Sequence, residues 1–333
     1  MKPMSGLNEF EVIELAWKIF EKDKEELLNL DDATAFRHGN NIVVLNIDTF
    51  DEETDWLPGM TYFDIGWKSI VMSISDIVVK GANPKGCIIS LGVPDNAYQE
   101  NIIELYNGIK SACESLKVAF WGGDTSFTKT LHLSVVSVGI ADKIISRKTA
   151  QPGDIVYSTG LFGLTSLGYK ILLDNEIYNI GLKEILESLY RPKLIDLEFW
   201  SIISKYVNAS IDSSDGLAMS LNLISEASNV KIIVEQLPLH PLVYQNVKDD
   251  EKAEELALYR GGEEFHFIFT ASPSNSYKIE DIAREHRCSL YRIGYVEKGS
   301  GVWLKKENKI SLIHPYGWTH GIKWEKKNEG SYS

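Results

Sequence analysis

From Trp67 onward the apolar positions Trp67, Ile70, Val71, Ile74, Ile77 and Val78 recur at the spacing of one helix face. The opposite face carries Ser69, Ser73, Asp76 and Lys80, mostly small side chains where a merely solvated face usually carries Glu, Lys or Arg. This pattern predicts an amphipathic helix with one carboxylate, Asp76, on a face that small neighbours keep open for a ligand. Phe10, Ile13, Trp17 and Phe20 predict a first helix over residues 8–21. The stretch LDDATAFRHGNNIVVLNIDTF reads as two strands around the turn residues His38–Asn41. A hairpin centred between Gly39 and Asn40 sets Asp31 opposite Asp48, with Asp32 adjacent. GCIISLGV, KVAFWGGDTS and LHLSVVSVGIAD then read as strands, with a helix over residues 98–115.

The polar Pro-Gly segment SRKTAQPGD separates this region from a second patterned one. That region opens with a strand, a glycine-rich turn and a helix. Its Gly160, Gly163 and Gly168 do not fit GxGxxG, so they read as close strand-to-helix packing. Further on, Ser213 or Ser214 is placed to cap a helix with Asp215 in its first turn. A helix near residues 276–286 and strands to about residue 312 complete the unit, and KWEKKNEGSYS reads as a disordered tail. The expected organisation is two α/β domains, 1–147 and 148–322, followed by a tail over 323–333.

Length and composition agree: 333 residues with 44% hydrophobic content suffice for two cores. The formal net charge of −13 argues against a nucleic-acid partner, and implies that any phosphate chemistry needs metal ions. Three cysteines without CxxC spacing argue against zinc and for a reducing cytosol. The N-terminal residues show no apolar leader and no run reaches a membrane span, so a cytoplasmic location without a membrane partner is expected.

Against that background the acids stand out. Asp31, Asp32, Asp48, Asp76, Asp124, Asp212 and Asp215 each fall at a strand end or helix start beside small residues. Two like charges about 4 Å apart repel by roughly 4 kcal/mol at an effective dielectric of 20, a cost that a cation relieves. Mg²⁺ is commonly held by a few carboxylates together with water and substrate phosphates. HExxH, GxSxG, the P-loop and the protein-kinase signatures are all missing. Any phosphoryl transfer must therefore use another scaffold.

LDDATAF, NIDTF, SISDIVVKGANP, WGGDT, SRKTAQPGD, STGLFG, IDSSDGL and RGGEEFHFIFT occur in the order, and at about the spacing, found in the thiamine-monophosphate kinases. That family belongs to an ATP-binding superfamily with aminoimidazole ribonucleotide synthetase and selenophosphate synthetase. The phrase TDWLPGM before the helix is similar to its archaeal branch. The resemblance implies a two-domain α/β fold like that of aminoimidazole ribonucleotide synthetase, whose N-terminal sheet pairs across a homodimer. It implies phosphorylation of thiamine monophosphate by ATP with several Mg²⁺ ions. Asp32, Asp48, Asp76 and Asp124 would hold metal from the first domain and Asp212 and Asp215 from the second, with Asp48, Asp76 and Asp124 closest to the chemistry. Gly123, Asp124, Arg147 and Ser214 would contact ATP; Asp55, Glu263 and Trp318 would meet the thiamine substrate. Asp31 and Thr49 lie beside metal ligands.

The chain departs from the family pattern at four places. Leu30 stands where a glycine is usual, Asn46 and Ile47 where hydroxyl residues are common, Asp55 and Trp56 where bacterial members place a histidine and an aromatic residue, and GGEEFHF where GGEDYEL is usual. A superfamily enzyme acting on another substrate and a catalytically silent nucleotide-binding regulator are the competing readings.

Overall fold

The structure is a computed structural model that describes residues 9–317, apart from 22 and 308. Its first half is a five-stranded sheet in the order β1-β2-β5-β3-β4, formed by β1 (Thr34–His38), β2 (Asn41–Asp51), β3 (Asn83–Pro94), β4 (Ala119–Thr128) and β5 (His132–Ala141). The hairpin register is the one its turn residues dictate, with His38 opposite Asn41 and Thr34 opposite Leu45. β1 stops at Thr34, so the chain bends away before Asp31 and Asp32 reach the ladder.

Two helices cover one face of this sheet, α3 (Tyr62–Val79) and α4 (Gln99–Leu116). A capping box starts α3: Thr61 Oγ1 accepts from the Asp64 N–H and Asp64 Oδ2 accepts from the Thr61 N–H. The two helices cross at glycines, because a Cβ on Gly66 would sit 2.2 Å from the Leu105 carbonyl oxygen and one on Gly108 2.0 Å from that of Phe63. Short α2 (Glu52–Asp55) links β2 to this layer, while α1 (Glu9–Ile19) forms as expected but leaves Val12, Ile13, Leu15 and Trp17 exposed.

The second half is built on a seven-stranded sheet in the order β12-β11-β8-β10-β6-β9-β7. Its strands are β6 (Ile155–Ser158), β7 (Ala209–Asp212), β8 (Lys231–Val234), β9 (Phe267–Ala271), β10 (Tyr291–Glu297), β11 (Val302–Lys306) and β12 (Lys309–Ile313). Of its helices, α5 (Leu164–Leu172), α7 (Leu197–Ile203) and α8 (Leu217–Ser228) matter for the site. One apolar core lies within this half. The other is shared, joining the α3 face to Tyr157, Phe199, Trp200, Phe267 and Phe269 of the second half.

That sharing changes the reading of the polar face on α3. Lys68, Ser69, Ser73, Ser75 and Lys80 are all buried, so the helix is enclosed nearly all round. Ser73 is small because it lies against the sheet, where its hydroxyl donates to the Val135 carbonyl at 3.0 Å, and Ser69 bonds back to Ile65 at 2.8 Å. Neither is held open for a ligand. At the end of α3 the second half bonds to the last carbonyls: the Trp200 indole N–H donates to Val78, which also accepts from the Gly81 N–H, at 2.7 Å, and the Ser210 hydroxyl donates to Val79 at 2.6 Å. Among the described residues no helix is long and apolar enough to cross a membrane.

Candidate active site

A cavity of about 680 Å³ opens between the two halves, lined by residues of β2, α2, α3, α5, the end of β7 and the turn of residues 261–263. At one end stand Asp48 from β2, Asp76 from α3, and Asp212, Ser214 and Asp215 from the segment after β7. Sequence periodicity put Asp76 on an open helix face. What gathers the others around it is the packing of two domains.

The acids divide into two groups by their counter-charges. Asp31 and Asp32 share two cations: Lys80 Nζ lies 2.6 Å from a carboxylate oxygen of each, and the Arg147 guanidinium lies 3.1 Å from each. Asp31 also accepts from the Ser146 hydroxyl and the Arg147 N–H, which ties the segment after β5 to the segment before β1. Burial alone would raise the Asp31 pKa, but Lys80 and Arg147 together hold it well below the usual carboxylate range. Arg147, expected at ATP, is here an arm of this ion-pair cluster, and Lys80 completes the cluster where periodicity put it on a polar surface.

Asp48, Asp76 and Asp212 form the second group. The Asn46 side-chain amide spans two of them, donating to Asp76 at 2.5 Å and Asp48 at 3.0 Å, and the Ser75 hydroxyl donates to Asp212 at 2.6 Å. Burial, then the charges of Asp212, Asp48 and Asp32, push the Asp76 pKa well above the carboxylate range. Asp212 is pushed up to about 8 by burial and by Asp32, against the opposing Ser75 hydrogen bond. Such groups ionise readily once a cation arrives. Among the described residues no group of three or more His, Cys, Asp or Glu side chains is placed to hold a metal ion by itself. Carboxylates from three separate elements on an open cavity fit Mg²⁺, which keeps waters and shares phosphate oxygens, better than a fully enclosed ion.

Asn46 and Ser75 carried no sequence signal beyond proximity to an aspartate. Leu30, in place of glycine, nevertheless adopts φ +58, and Asn29 before it φ +49, so the left-handed turn into Asp31 is kept at the cost of strain. Ser213 and Ser214 do not cap α8: the helix begins at Leu217 after Gly216, whose φ of +94 turns the chain, and Asp215 precedes the first turn. A Cβ at Gly216 would lie 2.6 Å from the Gly261 carbonyl oxygen, so the turn packs directly on the GGEE loop.

That loop supplies the other end of the cavity. Glu263 and Phe265 take φ +59 and +50, and the backbone N–H groups of these residues donate to Ser214 and Ser213, at 2.7 and 3.2 Å. Between them Glu264 points inward, accepts from the Gly163 N–H at the start of α5, and is raised to about 8 by burial. Glu263 instead lines the cavity with Asp55, Trp56 and Tyr169. The Asp55 carboxyl accepts from the Asp51 N–H at 2.8 Å and is raised above its ordinary range by burial.

Three expected residues lie elsewhere. Gly123 and Asp124 are on β4, the sheet's edge strand, Gly123 in the row that runs from Asp48 through Val135 and Ile89 and Asp124 in the row from Thr49 through Ser134 and Ser90. Three strand spacings separate them from β2, about 14 Å at the usual interstrand distance. Asp124 is exposed there, and Gly123 is required because a Cβ would stand 1.9 Å from the Ile89 carbonyl oxygen. A separate concavity of about 590 Å³, lined by Tyr106, Lys110, Cys113 and Phe120, adjoins the start of the same strand. Trp318 and the proposed tail lie outside the described residues.

Two α/β halves meeting over an aspartate cluster define the class. The chain matches the family models of the AIR synthase related protein, with its N-terminal domain over residues 30–141 and its C-terminal domain over 151–305, and belongs to that family. Within it the chain falls among the thiamine-monophosphate kinases. It is 32% identical to the thiamine-monophosphate kinase of Nitrosopumilus maritimus over 321 residues, covering 95% of this chain and 99% of the relative. It is 30% identical to that of Aquifex aeolicus over 321 residues, again covering 95% and 99%. The solved structure of AaThiL complexed with AMPPCP and TMP superposes with a TM-score of 0.83 at 29% identity, covering 96% of this chain and 99% of that one.

Proposed function

We propose that the protein transfers the γ-phosphoryl group of ATP directly to thiamine monophosphate, yielding thiamine diphosphate and ADP, with Mg²⁺ and without a phosphoenzyme. The observation that carries this reading is one cavity with the buried carboxyls of Asp76 and Asp212, both raised by burial and by neighbouring acids, at one end and an acidic, aromatic seat at the other. It is supported by the kinases named above and by the nucleotide analogue and TMP in the AaThiL complex.

The acceptor is a phosphate monoester, largely ionised near neutral pH, so no side chain has to remove a proton from it. The protein has to align two anions and offset their repulsion. Asp48, Asp76 and Asp212, with Asp32 and Asp215 beside them, would hold magnesium, which supplies the positive charge that lets two phosphate groups approach. Asn46 and Ser75 orient the carboxylates. Ser214 and Arg147 border the nucleotide end, and Asp55 and Glu263 hold the cationic ring of thiamine.

Gly123 and Asp124 enter through a homodimer. β4 is exposed along most of its length and carries Phe120, Trp121 and Phe127 into solvent, an unprotected edge of the kind that pairs with another strand. Pairing there brings Asp124 to a site shared by two chains. The free thiols of Cys87 and Cys113, 3.9 Å apart and unbonded, suit a reducing cytoplasm.

The direct test is incubation with ATP, Mg²⁺ and thiamine monophosphate followed by separation of the thiamine phosphates. Thiamine diphosphate is the expected product; intact ATP binding without it overturns the proposal. Mixing inactive Asp76→Asn and Asp124→Asn chains should restore about a quarter of wild-type activity, because half of the randomly formed dimers contain one intact shared site.

A further inference from the structure

Lys68 is wholly buried in the middle of α3, and its ammonium lies 2.6 Å from Oε2 of Glu263 in the other domain. The hydroxyl of Tyr169, on α5, donates to the same oxygen. Two donors from different domains thus converge on Oε2, which leaves Oε1 toward the cavity that Glu263, Asp55, Trp56 and Tyr169 line. The backbone does not aim this side chain by default, since Glu263 sits at φ +59, a conformation ordinary residues avoid. The seat holds two carboxylates, Asp55 and Glu263, against the one buried ammonium of Lys68. One net negative charge remains, which matches one cationic ring.

We infer that Lys68 and Tyr169 are positioning residues that fix the Glu263 carboxylate for a phosphomonoester bearing a cationic aromatic ring. This rests on the kinase reading and names how its acceptor end is built. Both act at the acceptor end, through Glu263 and, for Lys68, also through its charge on Asp55, so the nucleotide end should not feel their loss. A carboxylate released from Oε2 gains rotamer freedom, and the acceptor then has to order it on binding.

Steady-state kinetics of Tyr169→Phe and Lys68→Met, with calorimetric titration of thiamine monophosphate, test the inference. Tyr169→Phe removes one oxygen and conserves volume. It should raise the KM and Kd for thiamine monophosphate about tenfold while leaving the KM for ATP within about twofold. Lys68→Met should do the same more strongly if it folds. Adding Tyr169→Phe to Glu263→Gln should cost little beyond Glu263→Gln alone, because both act through one carboxylate. If the wild-type chain turns over thiamine monophosphate and Tyr169→Phe leaves its KM and Kd unchanged, or weakens ATP equally, the positioning role is overturned while the kinase function stands. A wild-type chain that neither binds nor phosphorylates thiamine monophosphate overturns the kinase reading itself.

Discussion

Lys80→Met removes an ammonium while keeping an unbranched stem of similar length. In the folded protein that ammonium donates to the Ser210 carbonyl and pairs with Asp31 Oδ1 and Asp32 Oδ2, each contact at 2.6 Å, and none of the side chain reaches solvent. Burial would lower its pKa, but the two carboxylates outweigh burial and raise it. The variant leaves Asp31 and Asp32 to share Arg147 alone and withdraws the donor that links them to β7 of the second domain. Breaking a buried pair in this way costs about 3–5 kcal/mol. Urea unfolding of the metal-free protein, followed by fluorescence and circular dichroism together, measures the loss from the shift in midpoint at constant slope. Lys80→Met combined with Asp31→Asn restores the charge balance and should recover at least about 1 kcal/mol of the sum of the single losses. A loss below about 1 kcal/mol for Lys80→Met refutes the claim that this ammonium ties the two domains.

Asp76→Asn should abolish turnover while leaving the urea midpoint equal to or above wild type, because it removes one of several repelling carboxylates; full activity takes Asp76 out of the site. Glu264, raised from 4.5 to about 8, is neutral in the folded protein at neutral pH, so its contribution is complete below pH 4.5 and is lost as pH rises through 8. Glu264→Gln should therefore flatten the decline in stability over that window by at most about 5 kcal/mol, as read from urea midpoints at pH 5 and pH 9. His266 acts oppositely: lowered to about 4 by burial, it adds stability above pH 6.5 that is lost as pH falls through 4, and His266→Gln should soften acid unfolding. Leu30→Gly should stabilise the protein by about 0.5–1 kcal/mol, the relief of a left-handed leucine less the entropy of glycine, by the same assay.

What could be read along the chain was what depends on neighbours in sequence. The helix through Asp76, the hairpin register set by Gly39 and Asn40, and the succession of strands all follow from periodicity and turn chemistry. The acids could be picked out as a set by their small neighbours, but their expected place at strand ends and helix starts fails for Asp48, Asp76 and Asp124, which lie inside β2, α3 and β4. Their roles could not be divided. Asp31 and Asp32 look like Asp48 and Asp212 until Lys80 and Arg147 arrive from residues far along the chain and form ion pairs with the first two.

The local pattern also misled where burial came from distant parts of the chain. Ser69, Ser73 and Lys80 read as a polar face because nothing in twenty residues reveals that β5 covers Ser73 and that β7 covers the lysine. Glu263 carried a motif but no aim, since Lys68 and Tyr169 reach its carboxylate from two different elements. Asp124 could be named as a phosphate-end residue, yet the strand order places β4 three strands from the β2 that carries Asp48. The sequence alone determined which elements form, because propensity and periodicity are local properties. Only the tertiary structure decided which carboxylates Lys80 and Arg147 pair with, because these counter-ions are delivered by packing between segments far apart in the chain.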